Sequence, residues 1–361
     1  MLNKMSKKER VLTTLNHGET DRTPVYDVFF HDDCIEFFTG KRAPVGEEGV
    51  RLKCRAMSHM LDMTRAADVT PRVPGEREDS EGFVFMEDRW LEMGIVKRPF
   101  EDETGATEWL KRKVEAMQSE LSSMNPAAEA RAYLERFRQI QSYFEDDTVV
   151  LIRQSGTGLD DLRHLLGWEY FAILSMDEPC LISRYLELHT NKEVALIHEI
   201  ADRELSPCAL TYGDIAMKGT LLHSPDWLKK EFFPHLKKLN DAYHEHDIKC
   251  LFHSDGLLMP VMYDLLQTGI DGLNPIEVVA GMNLEEISQA FSCKLFLAGG
   301  IDMSHLLSYG TAEEVRIVCE KAITAAPKGY FIGSTSELDN TAKLENILMM
   351  LKTVGVDIKR I

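Results

Sequence analysis

The chain lacks any run of about 18 apolar residues, so the sequence predicts no membrane-spanning helix. Its N-terminus is charged and lacks the apolar region of a secretory signal. Positive charge is also scarce, because 41 Lys and Arg stand against 59 Asp and Glu, for a net charge of −18. That balance disfavours nucleic acid or an anionic membrane surface as the main partner. An anionic substrate would therefore have to be held by local Arg or Lys side chains.

Closely spaced cysteines are missing as well, and no CxxC pair occurs. An odd number of scattered cysteines favours reduced thiols in a cytoplasmic compartment over a disulfide framework or a CxxC metal or redox motif. The seven cysteines are Cys34, Cys54, Cys180, Cys208, Cys250, Cys293 and Cys319.

The sequence contains no internal repeat, no low-complexity segment and no Gly/Ser-rich linker. Its 361 residues, 44% hydrophobic and 28% charged, have an ordinary composition for a globular protein and are enough for one large core. We therefore predict a single domain over residues 1–361.

Apolar runs alternate with helical patterns from residue 149 onward, which indicates βαβ units and a parallel sheet. Eight candidate strands favour a (β/α)8 TIM barrel over an open sheet. The predicted strands cover residues 25–30, 66–73, 149–153, 208–212, 249–253, 272–276, 295–298 and 329–332. The predicted helices cover residues 6–17, 185–201, 225–246, 258–268, 283–291, 312–324 and 342–353, and Ser224 with Pro225 is the expected start of the third.

Two segments depart from this alternation. Residues 83–100 alternate between apolar and charged positions, which predicts a hairpin on the rim of the barrel. Residues 105–145 have a strongly helical composition with a break near Asn125–Pro126, and we expect them to form a helical excursion from the barrel.

Polar residues follow the predicted strands at seven places, where a barrel carries its active site. His253 and Asp255 form the strongest pair, because residues two apart on an extended chain point to the same side and can share one pocket. Each of the others is explained as well by capping of the next helix. The candidate residues are Asp27, His31, Arg153, Tyr212, Asp214, His253, Asp255, Asn274, Glu277, Asp302 and Ser336.

Several motifs resemble the uroporphyrinogen decarboxylase superfamily, and more closely its corrinoid-dependent methyltransferase branch. The resemblance covers residues 7–356 in outline, is most specific from 208 to 346, and implies a (β/α)8 barrel with its site at the carboxyl ends of the strands. The motifs are Tyr212-Gly-Asp-Ile, Ser224-Pro-Asp-Trp-Leu-Lys-Lys-Glu-Phe-Phe-Pro, Phe252-His-Ser-Asp-Gly, Gly269-Ile-Asp-Gly-Leu-Asn-Pro, Gly281-Met, Gly299-Gly-Ile-Asp and Leu344-Glu-Asn.

The chain departs from two patterns of these relatives. Decarboxylases carry Arg-Gln-Ala-Gly-Arg after the first strand, where this chain has the acidic segment Asp27-Val-Phe-Phe-His-Asp-Asp, which would repel a polycarboxylate porphyrinogen. Thiol-activating methyltransferases bind zinc through His-x-Cys and a second Cys. His253 is kept here, but Asp255 and Ser336 stand at the two Cys positions, so we expect the thiol-activating zinc site to be altered.

The resemblance then implies demethylation of a small methylated donor, such as a methoxylated aromatic compound, with transfer of the methyl group to a separate corrinoid (cobalamin) protein. His253 would act as general acid or metal ligand and Asp255 as its partner, with Asp214 as a further catalytic or metal contact. A Zn²⁺ site would use His253, Asp255 and Glu277. The expected substrate contacts are Asp27, His31, Arg153, Tyr212, Asn274, Asp302 and Ser336.

Two alternatives stay open at this point. A decarboxylase-like activity on another carboxylate substrate would need cations at the barrel mouth, for which Arg153 is the main candidate. A barrel that only binds a small molecule would have the same fold without a metal. The oligomeric state, including a homodimer, is left open by the sequence.

Overall fold

Short buried strands alternate with helices along most of the chain. The computed structural model describes residues 4–65, 72–145, 148–291 and 293–359. The strands are β1 (Met63–Thr64), β2 (Gly75–Glu78), β3 (Val84–Glu87), β4 (Glu92–Lys97), β5 (Val149–Val150), β6 (Gln154–Gly156), β7 (Cys208–Tyr212), β8 (Ala216–Met217), β9 (Thr220–Leu221), β10 (Lys249–His253), β11 (Gly272–Asn274), β12 (Phe296–Ile301) and β13 (Tyr330–Ser334).

The helices surround these strands. They are α1 (Lys7–Leu15), α2 (Asp32–Thr39), α3 (Glu47–Met60), α4 (Glu103–Ser123), α5 (Pro126–Gln141), α6 (Leu159–Leu166), α7 (Trp168–Asp177), α8 (Pro179–Ile200), α9 (Pro225–Glu231), α10 (Phe233–His244), α11 (Met262–Gln267), α12 (Leu284–Phe291), α13 (Ala312–Ala325) and α14 (Leu344–Thr353). Short turns of other helical types cover Met259–Val261, Val278–Ala280 and Met303–Leu307.

Parallel pairings connect the central strands in a circuit. A six-stranded sheet has the order β13-β12-β11-β10-β7-β6, and β1 pairs with β5, which precedes β6 by three residues. Parallel bridges from Val25 to Ile332 and from Tyr26 to Met63 join β13 to β1. We call this set of strands the strand ring. The arrangement is consistent with the predicted (β/α)8 barrel.

The core has two parts, because successive strand residues point to opposite faces of the sheet. One cluster takes alternate residues from strands around the ring and forms its interior. Its members are Val11, Leu15, Tyr26, Met63, Val149, Leu151, Cys208, Leu210, Leu251, Phe296, Ala298 and Phe331. The larger cluster packs the outer strand faces against the helices. Both faces of these strands are therefore buried, as in other parallel sheets.

Several predicted elements are confirmed. The predicted strands 208–212 and 249–253 match β7 and β10 at both ends. The helical excursion is present as α4 and α5, and the Asn125 side chain caps α5 by accepting from the Ala128 N–H. Ser224 caps α9 by accepting from the Trp227 N–H at 3.2 Å.

Other boundaries were wrong. The predicted helix 225–246 is two helices that meet at Phe232, because Pro234 has no N–H to continue the first. The predicted strand 25–30 is reduced to bridges at Val25, Tyr26 and Phe29. The second strand lies at Met63–Thr64, earlier than the predicted 66–73, of which residues 66–71 lie outside the described residues. The predicted hairpin is a three-stranded antiparallel sheet, β2-β3-β4.

Each of the seven cysteines is a free thiol, and five of them are buried. None of the helices within the described parts of the chain combines the length and apolar character needed to cross a bilayer. The prediction of one domain over 1–361 stays a prediction.

A buried ion network ties α1 to the strand ring. Asp62, which is fully buried, accepts hydrogen bonds from Arg10 at 2.5 Å, from Arg22 at 2.7 Å and from the Val25 N–H at 2.8 Å. Arg10 also pairs with Asp21 at 2.7 Å. Asp62 directly precedes β1, so its carboxylate connects α1 and the segment around Arg22 and Val25 to the start of this strand.

We predict that Asp62→Ala lowers the free energy of unfolding by about 3–5 kcal/mol, because the buried Arg10 loses one carboxylate and the Val25 N–H loses its acceptor. Asp241→Ala removes an exposed pair with Lys237 and should cost at most about 0.5 kcal/mol. Chemical denaturation followed by circular dichroism measures both. Equal losses in the two variants would show that the network contributes no more than a surface pair.

Candidate active site

Three potential metal ligands meet at the carboxyl ends of β7 and β10. They are Asp214, His253 and Asp255, whose ligand atoms all lie within 4.8 Å of one another. We call these three residues the ligand cluster. The structure therefore brings together all three residues that the sequence analysis assigned to catalysis.

His253 is oriented by the next strand. It is the last residue of β10, and its Nδ1 lies 2.7 Å from the Asn274 amide oxygen on β11. The Asn274 Nδ2 donates to the Ala298 carbonyl at 3.1 Å, which fixes the amide orientation. The amide oxygen can only accept, so Nδ1 carries the proton and Nε2 keeps a lone pair for a ligand.

The surroundings of His253 favour its neutral form. Burial lowers the pKa of the imidazole, and the nearby Arg65 cation lowers that pKa further. Asp214, the bond to Asn274 and Glu337 oppose this shift without reversing it. A neutral imidazole is the form that binds a metal.

The surroundings of the Asp255 carboxyl favour the binding of a proton or a cation. Burial raises the pKa of its carboxyl to about 7, and the neighbouring carboxylates of Asp214, Glu277 and Glu337 act in the same direction. Its Oδ1 atom is buried and has no hydrogen-bond partner among the described residues. A proton, a substrate donor or a metal ion would satisfy this oxygen.

The backbone of Asp214 is held at both its N–H and its carbonyl by residues of α6. The Asp160 carboxylate accepts from the Asp214 N–H at 2.9 Å, and Arg163 donates to the Asp214 carbonyl at 2.8 Å. Asp160 and Arg163 also pair with each other. Burial, followed by the charge of Asp214, raises the pKa of Asp160 to about 6. In turn, the Asp214 Oδ1 accepts from the Asp255 N–H at 3.1 Å, so the ligand cluster is linked internally.

Gly256 lets two loops approach the end of β10. Its φ of +92° lies in the left-handed region, and an added Cβ would lie 2.4 Å from the backbone of Ala216 and Met217. Its N–H donates to the Glu277 carboxylate at 2.7 Å. Glu277, expected as a metal ligand, therefore lies beside the ligand cluster and is bonded to the strand tip.

A cavity of about 530 Å³ opens next to Asp214 and Asp255. Its size suits a small organic molecule. Arg163 lies 4.5 Å from the centre of the Trp168 ring, so these two side chains form one wall. The lining residues are Arg163, Trp168, Asp214, Ala216, Met217, Lys218, Leu222, Asp255 and Glu277.

Three of the predicted substrate contacts make structural hydrogen bonds. Asp27 is buried and accepts from the Ser334 N–H at 2.7 Å and from its hydroxyl at 2.8 Å. Burial raises the pKa of Asp27 to about 7. His31 caps α2 through the Cys34 N–H, and Asp302 caps the turn that follows it. The structure does not bring these three into the ligand cluster.

Among the remaining predicted contacts, Asn274 bonds to the ligand cluster, whereas Arg153, Tyr212 and Ser336 make other contacts. Arg153 makes a bidentate pair with Glu193 on α8, at 2.7 and 2.9 Å, and lines a separate cavity of about 440 Å³. The Tyr212 ring lies over Gly156, where a Cβ would come within 2.6 Å of it. Ser336 is exposed and donates to its neighbour Glu337 at 3.1 Å.

Sequence reasoning missed Arg65 and Glu337. The Arg65 Nη2 lies 3.3 Å from the Glu337 Oε1, and both charges act on the pKa of His253. The sequence signal for Arg65 was a cationic residue directly after the short strand Met63–Thr64. It was missed because the second strand was predicted at residues 66–73. Glu337 directly follows Ser336, which the motif comparison had singled out.

A second group of potential ligands lies at the amino ends of the strands and is better explained as an ion network. It consists of His244, Cys250 and Asp271. The Asp271 carboxylate already accepts from His244 at 2.8 Å, from Lys249 at 3.1 Å and from the Cys250 N–H at 2.8 Å. The bond to Asp271 raises the pKa of His244. A cation would have to displace the Lys249 ammonium.

Comparison with known proteins identifies the family. The sequence profile described as Uroporphyrinogen decarboxylase (URO-D) matches residues 166–355, which is more than half of the chain. The chain therefore belongs to the uroporphyrinogen decarboxylase (URO-D) family, as the motifs had predicted.

Solved structures add a comparison at the level of the fold. A methyltransferase from Methanosarcina mazei matches with a TM-score of 0.70 at 16% identity, over 97% of this chain and 98% of that one. A psychrophilic glycoside hydrolase family 10 endo-beta-1,4-xylanase matches 60% of this chain and 80% of its own at 11% identity, with a TM-score of 0.38, which carries no argument. A search of curated proteins found no match.

We predict that Gly256→Ala is more destabilising than Gly281→Ala. Both residues have a left-handed backbone, which costs an added side chain about 1–2 kcal/mol. Only the Gly256 variant would also push a Cβ into the backbone of β8, for about 1–3 kcal/mol more, whereas Gly281 has its nearest neighbour at 3.5 Å. Thermal unfolding of the two variants measures the difference. Equal losses would mean that the hairpin β8-β9 is not packed against this strand end.

Proposed function

We propose that this protein is a corrinoid-dependent methyltransferase that takes a methyl group from a small methylated donor, such as a methoxylated aromatic compound, and delivers it to a partner corrinoid protein. The observation that carries the proposal is the ligand cluster, whose imidazole environment favours the neutral form and whose Asp255 Oδ1 has no partner among the residues that the structure describes. Membership of the URO-D family and the fold shared with a methyltransferase are in keeping with it.

The ligand cluster fits a Zn²⁺ ion. One neutral imidazole and two carboxylates make three protein ligands, the number in catalytic zinc sites that keep a position for substrate. A divalent cation would also relieve the repulsion among the carboxylates around Asp255. When bound, the metal would act as a Lewis acid on the heteroatom that carries the methyl group.

The residues around the ligand cluster would position the reaction. Asn274 holds the imidazole with Nε2 unprotonated, and α6 holds the Asp214 peptide. In the proposed reaction the bond between heteroatom and methyl group breaks, the heteroatom keeps the electron pair, and the reduced corrinoid of the partner accepts the methyl group. The seven free cysteines are in keeping with a reducing cytoplasmic location.

The two alternatives find less support. Decarboxylation was expected to use Arg153, but that guanidinium is occupied by Glu193 and belongs to another cavity. A barrel that only binds a small molecule would not need an imidazole whose tautomer is set by a buried amide.

We predict that the purified, metal-free protein binds one Zn²⁺ per chain, measured by calorimetry and elemental analysis. His253→Ala and Asp255→Ala should each weaken binding by about 100-fold or more, because each removes a ligand. His246→Ala, on the segment after α10 and outside the ligand cluster, should leave the affinity unchanged. Unchanged binding in both ligand variants would rule out the ligand cluster as the zinc site.

We also predict methyl transfer to free cob(I)alamin, followed by its colour change while methoxylated aromatics and methylamines are screened as donors. His253→Ala should lower the turnover by at least about 100-fold, since it loses both a ligand and its orientation. His246→Ala again serves as the control. Turnover that survives the loss of the His253 imidazole would end its assignment to the reaction.

A further inference from the structure

One wall of the cavity beside the ligand cluster carries a largely exposed indole ring. Trp168 begins α7, lines this cavity and is 59% exposed. The Arg163 guanidinium lies over one face of the ring, 4.5 Å from its centre, which leaves the other face as the open one. A tryptophan that served only the core would be buried, because its large apolar surface stabilises the fold only when it is removed from water.

The segment that carries Trp168 is fixed to the frame of the ligand cluster. Arg163, which covers the ring, also donates to the Asp214 carbonyl at 2.8 Å. Arg98 donates to the Leu165 carbonyl at 2.9 Å and so holds the end of α6 just before Trp168. One guanidinium thus sets the position of the indole ring relative to a residue of the ligand cluster.

A ligand that fills this cavity contacts the indole ring and the ligand cluster together, because Trp168, Asp214 and Asp255 all line it. The volume of about 530 Å³ accommodates a substituted benzene ring. Apolar side chains add to the lining, among them the thioether of Met217, a group that packs favourably at the edge of an aromatic ring. A flat apolar group with a polar methylated end matches both parts of this lining.

The charges near the ring favour a neutral aromatic group over a methylammonium cation. An aromatic ring can also attract quaternary ammonium ions. Here, however, Arg163 already occupies one face of the Trp168 ring and Lys218 lines the same cavity, so a cation at the other face would meet two positive charges. The guanidinium also draws the negative charge of the indole face towards itself, which lessens the repulsion against the face of a stacked aromatic ring.

We infer that Trp168 is the specificity-determining residue of this cavity and stacks on an aromatic ring of the methyl donor, while Arg163 positions the indole relative to the ligand cluster. The methylated heteroatom of a stacked donor then lies towards Asp214 and Asp255. This inference rests on the proposed function and narrows its donor from any small methylated compound to one with an aromatic ring. Binding of the ring can be measured without turnover.

The test titrates three ligands against the native protein with excess Zn²⁺, followed by the NMR signals of the ligand: methoxybenzene, its saturated counterpart methoxycyclohexane, and trimethylammonium. Methoxybenzene should bind about three- to tenfold more tightly than methoxycyclohexane, as expected for one stacked aromatic pair. Trp168→Leu should remove this preference, and Trp168→Phe should keep most of it. Neither variant should change the zinc affinity, because the indole is not a metal ligand.

Arg163→Met tests the positioning role. Loss of the cation should raise trimethylammonium binding relative to methoxybenzene several-fold, whereas equal weakening of both ligands would overturn that role. Arg163→Lys keeps the charge and should retain the native order of the ligands. Tyr263→Leu removes an exposed aromatic ring of α11, outside the cavity, and should change neither ratio.

The inference and the proposed function fail in different ways. Equal binding of the two ethers by the native protein, a preference that survives Trp168→Leu, or tighter binding of trimethylammonium that depends on Trp168 would overturn the inference. Methyl transfer from a donor without an aromatic ring, unaffected by Trp168→Leu, would also remove it and leave the proposed function standing. Aromatic binding that depends on Trp168, with no methyl transfer from any donor, would do the reverse.

Discussion

Repulsion among buried carboxylates around one imidazole is the constraint on which the rest of the site depends. Asp255 lies beside Asp214 and Glu277, and burial, followed by the charges of these carboxylates, raises the pKa of its carboxyl to about 7. The fold keeps these groups together through backbone donors, because the N–H groups of Asp255 and Gly256 bind Asp214 and Glu277. Side-chain cations could have neutralised the group permanently. Backbone donors position the carboxylates and leave most of their charge available for a cation.

Rigidity around this group comes from hydrogen bonds and close packing made by residues outside the ligand cluster. Asp160 and Arg163 bond the N–H and the carbonyl of Asp214, and Gly256 allows the backbone of β8 to lie against the end of β10. The Asn274 amide is in turn fixed by the Ala298 carbonyl. The His253 imidazole and the carboxylates of Asp214 and Glu277 therefore each have a second group that limits their motion, which is the condition for pre-organised binding.

The sequence was most informative where an apolar run ends in polar or titratable side chains. Strands β7 and β10 were predictable to the residue, and so was the grouping of His253 with Asp255, because side-chain direction follows a period of two. Arg153 shows where this logic fails. The chain bends between β5 and β6, Gln154 takes the register opposite the inward-facing Leu210, and Arg153 consequently points outward to α8. Arg65 was missed for a related reason, since β1 is only two residues long and gives almost no periodic signal.

In the proposed function, the oxygen ligands that stand where the resemblance places cysteine bear on which half of methyl transfer the site would perform. Thiolates donate charge to a bound metal and lessen its pull on further ligands, which suits the activation of an incoming thiol as a nucleophile. A carboxylate is a harder and less donating ligand, so a metal held by Asp214, His253 and Asp255 would retain more Lewis acidity. Such a metal withdraws electrons from an oxygen or nitrogen that must leave with its bonding pair. Asp255 at the Cys position of the resembled motif would therefore favour activation of the donor over activation of a thiol acceptor in the proposed reaction.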